Sequence, residues 1–454
     1  MPNDFAYFTL LVWPIVSIVL YKNYPVITAT FWTIVGGYLL LPVGVEFDFP
    51  LIPALDKESI PAIMALIGCR YIANQKVSLL PPPSIERKLI LMLLIGSIAT
   101  VLTNAEPVIE SSRYIPGLSF RDTLSTVISL WLMLIPFVLG MQIIKTHEDQ
   151  ILLLRLLVIA GLWYSMLIIF EIRMSPQLHT WIYGFFPHSW TQQLRYGGYR
   201  PVVFLGHGLW VSIFIFMTFS AMVSLSKLKI QSFRIPDSTI IIYLILLLIL
   251  AKGVGSILLA LVLTSAMLFL KKTLISKGSV LLAFAAILYP LLCLGDLFPH
   301  QYMLDLIESL DRSRAESLKY RFDQETDLLT RATQKIFFGW GGWGRNRLED
   351  SVTDGYWVIL VGKYGLIGFA AIFGLMCSSV LRTAKIYTST THKAQNQCIA
   401  GVSLTLALLM IDQIPNASIN PIIWLMMSIQ FGRAKNLASY RKEKSIPEID
   451  TVNR

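Results

Sequence analysis

Arginine gathers where this chain could do chemistry. A polar loop of about sixty residues, 296–355, separates two strongly apolar segments and carries Arg312, Arg314, Arg321, Arg331, Arg345 and Arg347. The guanidinium fork grips phosphate or carboxylate bidentately, which the point charge of lysine cannot do. Arg195 and Arg200 flank Gly197-Gly198 immediately before Pro201. Proline is a normal first-turn residue, so this pair is expected at the mouth of a helix, where free backbone N–H groups favour an anion. His207 then falls about two turns into that helix, as an ionisable group in a span or as a packing residue. Lys252 interrupts LILAKGVGSILLALVL, which is too long for one membrane crossing and has Gly253 and Gly255 at its centre. A tight hairpin with Lys252 at its tip is expected, the ammonium either snorkelling or buried with a partner. Asp354 closes the long loop just before Tyr356-Trp357. It is a candidate general base for an acceptor hydroxyl, or a helix N-cap.

The elements that must position these groups are membrane spans. The 454 residues are 55% hydrophobic and 15% charged, which excludes an ordinary soluble domain and a disordered chain. Apolar runs near the ~20 residues of a bilayer crossing recur along residues 1–432. In lipid each must be helical, because the backbone has no water to bond. The expectation is an all-α, polytopic membrane domain of twelve to thirteen helices, with 296–355 as a large extracytoplasmic loop and 433–454 as a polar cytoplasmic tail. The first segment lacks the basic region and cleavage site of a signal peptide. Cys69, Cys293, Cys377 and Cys398 lie in or beside apolar spans, with no CxxC pair. They imply no disulfide frame and no structural metal.

Lysine orients the spans. Links at 70–88, 144–150, 225–237, 271–278 and 382–396, with the tail, carry most of it and are expected to face the cytoplasm. The segments 44–59, 105–123, 173–200, 296–355 and 413–417 then lie outside. The inside holds 14 Lys and 8 Arg, the outside 5 Lys and 11 Arg. The net charge of +10 is therefore two populations. The inner lysines set topology and meet anionic lipid headgroups. The outer arginines need another cause, either an anionic ligand or ion pairing within the loops.

Within the long loop, SRAESLKYRFDQETDLLTRATQKIF has helical periodicity. Ser313 and Glu316 match a capping box. Arg314 and Arg321 share a face, and Glu325, one turn on, is spaced to hold Arg321. An amphipathic helix over the membrane surface is expected. Gly339 to Gly344 matches GxGxxG, but no strand leads into it, so a tight turn packed on Trp340 and Trp343 is expected instead of a dinucleotide site. Stacking of a sugar on either ring is the other reading. Asp412, Gln413, Asn416 and Asn420 line a further outer turn, where they could meet sugar hydroxyls or simply break a helix pair.

Together these elements resemble the O-antigen ligase and O-antigen polymerase family of bacterial envelope enzymes. The resemblance rests on RYGGYRPVVFLGHG, on GSILLALVL after Lys252, on Arg321 and its helix, and on FGWGGWG leading to TDGYWVILVGKYGLIGF, with Gly365 and Gly368 in the following span. It covers about residues 190–375. It implies a GT-C-like membrane architecture and metal-independent, cofactor-free glycosyl transfer at the outer face of the inner membrane. The implied donor is a glycan on undecaprenyl pyrophosphate; the acceptor is a glycan, lipid A core or another hydroxyl. Ligases carry a His-Asn pair where this chain has Thr353-Asp354, and many relatives an Arg where it has Lys252. The first departure favours a polymerase or another saccharide-joining role over a ligase.

The expected machinery is Arg195, Arg200 and Arg321 on the pyrophosphate, Arg314 and Lys252 in support, and Asp354 as base, with His207, Glu325 and Tyr356 as further candidates. No nucleic-acid partner is expected. A polysaccharide or lipid-linked sugar transporter or flippase is the alternative, and a non-catalytic envelope scaffold a third. The spans show no obvious inverted repeat, which disfavours the transporter.

Overall fold

The computed structural model describes residues 1–49, 52–110, 113–195, 197–228, 233–309, 312–348, 354–387 and 393–429. The side chains of 313, 314, 317, 383–387 and 393–395 also lie outside the description, as does the tail 433–454. The chain is mostly helical. In order come α1 Asp4–Asn23, α2 Val26–Phe31, α3 Gly37–Leu40, α4 Ser59–Ile67, α5 Ile85–Leu102, α6 Phe120–Ile143, α7 His147–Met174, α8 Leu178–Tyr183, α9 Gly208–Ser226, α10 Asp237–Leu250, α11 Val254–Phe269, α12 Lys272–Leu294, α13 His300–Glu308, α14 Arg312–Thr333, α15 Tyr356–Tyr387 and α16 Lys393–Asp412. A last helix covers 421–429. Two small hairpins interrupt them: β1 Val108–Glu110 with β2 Arg113–Ile115, and β3 Leu194–Arg195 with β4 Gly198–Tyr199.

Among the described residues six helices are long and apolar enough to cross a membrane: Asp4–Asn23, Phe120–Ile143, His147–Met174, Gly208–Ser226, Lys272–Leu294 and Tyr356–Arg382. Five further apolar helical segments are shorter. The fold is consistent with an all-α, polytopic membrane protein. A count of six full-length helices is half the twelve to thirteen expected from apolar runs. The difference is one of length: the shorter segments Val26–Leu40, Ser59–Ile72, Asp237–Leu250, Val254–Phe269 and Asn396–Asp412 coincide with expected spans but fall short of a full crossing.

Helix α9 is the centre. It is apolar all round and almost wholly buried, as expected for a helix with no face left for solvent. Helices α7, α10, α11 and α16 pack around it. The links gather into two separate groups. At one end Tyr183 donates to Leu40, Lys57 to Phe204, Lys252 to Arg195, Lys335 to Thr103 and Trp210 to Ala417. At the other, Ser78 pairs with Gln142, Gln150 with Ile429 and Arg382 with Glu86. Each bond joins segments expected near the same side of the membrane.

Helix α15 is broken at Gly365, whose φ is 66°. The break frees two N–H groups, which donate to the carbonyls of Ile336 and Phe337. A Cβ at Gly365 would collide with the Phe337 backbone, so glycine is required for both conformation and space. The turn 334–341 thereby docks into a membrane helix.

Candidate functional site

The site lies at the N-terminus of α9. The helix does not begin at Pro201. Residues 201–207 form a non-helical segment, and His207 is the N-cap rather than a residue two turns inside. The buried carboxylate of Glu171 shapes this segment by accepting from Val202 and Val203, both at 2.7 Å, and from Leu178 at 3.0 Å. The expected free N–H groups are also taken. Gly208 donates to Gln193 Oε1, Leu209 to His207 Nδ1, and Trp210 and Val211 to the His207 carbonyl. An anion here would meet side chains, not bare backbone.

Those side chains are cationic. Arg200 is buried, and its stem lies against Gly208. Arg195, on the short hairpin, is exposed beside a cleft of about 290 Å³ lined by Leu194, Arg195, Gly197, Gly198 and Tyr199. Lys252, at the expected hairpin between α10 and α11, donates to the Arg195 carbonyl at 2.8 Å. His188, which the sequence reading passed over, places its ring 4.8 Å from that of His207. Burial first, then Arg200, His188 and Arg195, push the His207 imidazole down to about 4. It is neutral at neutral pH and accepts through Nδ1. The structure thus joins Arg195, Arg200, Lys252 and His207.

It does not join Arg321 or Asp354 to them. Arg321 is exposed on α14, and no contact among the described residues links it to Arg195 or Arg200. Arg314 has its side chain outside the description. Helix α14 forms where expected but starts at Arg312, so Ser313 lies within its first turn and is not its cap. Glu325 does not hold Arg321; it accepts from the Tyr289 hydroxyl of α12 at 2.8 Å. Asp354 is exposed and separated from α15 by Gly355, so it is not the residue next to the helix. Thr353 lies outside the described residues. Tyr356 is buried, its N–H donating to Gln413 and Asn416 and its hydroxyl facing Met133 Sδ at 4.0 Å.

Several loop arginines are structural. Arg345 is 1% exposed and donates to the carbonyls of Pro116, Glu106 and Trp340. The Arg331 guanidinium stacks 3.7 Å above Trp340, donates to the Arg345 carbonyl and pairs with Glu110 at 3.4 Å. Trp340 is thus occupied by protein, whereas Trp343 is exposed. Asp412, Gln413, Asn416 and Ser418 bond one another.

A second carboxylate site emerges at Asp56-Lys57-Glu58. A cavity of about 240 Å³ is lined by Asp56, Glu58, Met133, Asn420 and Trp424 among others. Glu58 is exposed on the wall of this cavity, with its carboxyl set close against the surrounding protein. Burial and then neighbouring Asp56 raise its pKa, while Lys57 opposes. Lys57 itself is buried, 2.7 Å from the Phe204 carbonyl and over the Tyr38 ring. Its pKa is lowered by burial, against the pull of Glu58 and Asp56. The only sequence signal was three consecutive charges abutting an apolar run.

One cluster of metal-ligating groups was not legible. Cys293, His300 and Glu325 bring their ligand atoms within 4.8 Å of one another. No protein-family model matches the chain, and no curated protein matches it significantly.

Proposed function

We propose that this protein is a membrane glycosyltransferase. It moves a glycan from an undecaprenyl-pyrophosphate donor to an acceptor hydroxyl at the outer face of a bacterial inner membrane, in polysaccharide polymerisation or ligation. The observation that carries this reading is the convergence of Arg195, Arg200 and Lys252 beside neutral His207 at the head of the central helix. Guanidinium forks and an ammonium grouped in this way suit an anionic ligand such as a pyrophosphate.

The chemistry needs fixed cations more than a protein nucleophile. As the acceptor oxygen attacks the anomeric carbon, the sugar–phosphate C–O bond breaks and its electrons go to the departing pyrophosphate. Charge grows there, and forks already in place stabilise it without reorganising. Arg195 and Arg200 take that role, Lys252 holds the Arg195 hairpin, and Arg321 acts on the donor from α14. Attack opposite the leaving group inverts the anomeric centre. The acceptor proton goes to a carboxylate: Asp354 by the resemblance, with Glu58 favoured by its cavity and raised pKa.

Purified protein in lipid nanodiscs, given a fluorescent undecaprenyl-pyrophosphate glycan and an acceptor glycan, should release undecaprenyl pyrophosphate in step with acceptor extension. Donor crossing the bilayer intact, with no release, would replace this reading with transport. Sidedness is tested separately. A cysteine at Thr330 should react with an impermeant thiol reagent on intact spheroplasts; labelling only after lysis would reverse the orientation.

A further inference from the structure

We propose that Cys293, His300 and Glu325 bind one divalent cation of the zinc class, and that this cation fastens α14 to the corner between α12 and α13. The three residues come from three helices. Cys293 sits in the last turn of α12, His300 opens α13, and Glu325 projects from the middle of α14. The Cys293 sulfur lies 4.0 Å from His300 Nε2. Tetrahedral zinc, with bonds of about 2.0–2.3 Å, needs ligand atoms roughly 3.5 Å apart. Side-chain rotations of roughly 1 Å would therefore close the site around a metal.

The surroundings resemble support for a ligand set. Tyr289, one turn before Cys293, donates to Glu325 Oε1 at 2.8 Å and so orients the carboxylate. The His300 ring is held edge-on by Phe298 and Phe322, at 4.9 and 4.6 Å between centroids. The Tyr289 hydrogen bond fixes the carboxylate direction that a metal requires, and the two rings limit how the imidazole can turn. Cys293 is buried while His300 and Glu325 are half-buried, leaving one side open for entry and a fourth ligand. Thiol, imidazole and carboxylate together suit a borderline-soft ion over magnesium or calcium. Binding exchanges the Cys293 thiol proton for the metal, releasing it to solvent. The consequence is mechanical: Glu325 lies one turn beyond Arg321, so a cation there would fix the helix that presents Arg321.

The test uses full-length protein, reduced and purified in detergent, titrated with Co2+. One Co2+ per chain should give a thiolate-to-cobalt charge-transfer band, be displaced by Zn2+ and be indifferent to Mg2+. The band should vanish in Cys293→Ser, survive in Cys377→Ser, and lose at least tenfold in affinity in His300→Gln and Glu325→Gln. The His300 variant lies outside the spans and decides the matter if Cys293→Ser does not fold. A wild-type protein without the band, or His300→Gln with unchanged affinity, overturns the site. The readout is spectroscopic, so it stands or falls apart from glycosyl transfer.

Discussion

The Lys252 ammonium donates to the backbone carbonyl of Arg195, 57 residues away, at 2.8 Å. One residue of a left-handed turn between two apolar helices thus holds the hairpin that presents an arginine. The bond is exposed, so its contribution is discounted to about 1 kcal/mol. Lys252→Met keeps the stem and removes the donor. It should lower glycosyl transfer about fivefold at unchanged membrane level, and a rate within experimental error of wild type would show that the hairpin holds itself.

Arg195→Ala, Arg200→Ala and Arg321→Ala should each reduce product formation roughly ten- to a hundredfold, since each removes a charge-assisted contact worth about 1.5–3 kcal/mol. Arg195→Lys should rescue poorly, because a point charge cannot replace a fork. Arg321 is the informative case, being remote from the other two in this structure. Full activity in Arg321→Ala, with protein at normal abundance, removes α14 from the donor site.

The two carboxylates give a clean contrast. If Asp354 is the base, Asp354→Asn should lower turnover by roughly 10² to 10⁴ and leave donor binding intact, and Glu58→Gln should not. If Glu58 is the base, the outcomes exchange. The rate should then rise with pH through a value well above the ordinary carboxylate range, because burial and Asp56 raise the Glu58 pKa. Turnover against pH in the two variants distinguishes them.

His207 makes a prediction about protons. Its folded pKa of about 4 lies below the ordinary 6.5, so between those values the unfolded chain binds more protons. Its stabilising contribution is complete above pH 6.5 and is lost as the pH falls through about 4. An anion that offsets Arg200 and Arg195 should raise that pKa. Inorganic pyrophosphate binding at pH 5 should take up more protons in wild type than in His207→Gln, read by calorimetry in buffers of different ionisation enthalpy. Equal uptake would mean the anion binds elsewhere.

Gly365→Ala should destabilise the protein by several kcal/mol, since it forces a side chain into a left-handed residue and into the Phe337 backbone. Gly278→Ala, in helix α12 with open space at its Cβ, is the control and should be neutral or slightly stabilising. Melting temperatures in detergent report both. A Gly365→Ala protein that melts with wild type would mean that the turn 334–341 does not depend on the break.

The sequence by itself determined the class of this protein. Apolar runs must become helices in lipid, and the chain is mostly helical, with six helices among the described residues long and apolar enough to cross a membrane. The hairpin at Lys252, the helix beginning near Arg312 and the tight glycine turn at 339–344 were likewise legible, because each follows from local propensity and period. Tertiary structure alone decided what the charges are for. Arg345 and Arg331 have the same composition and loop as Arg321, yet their guanidinium groups are spent on carbonyls, Glu110 and Trp340. Nothing local distinguishes an arginine that fastens a loop from one left to meet a ligand; the difference lies in which distant backbone groups come within reach. The same holds for Glu325, which was spaced to pair with Arg321 but instead meets Tyr289, Cys293 and His300. Spacing along a helix fixes which side chains can touch on that helix. What packs against its other face is set by long-range closure, which no window of sequence contains.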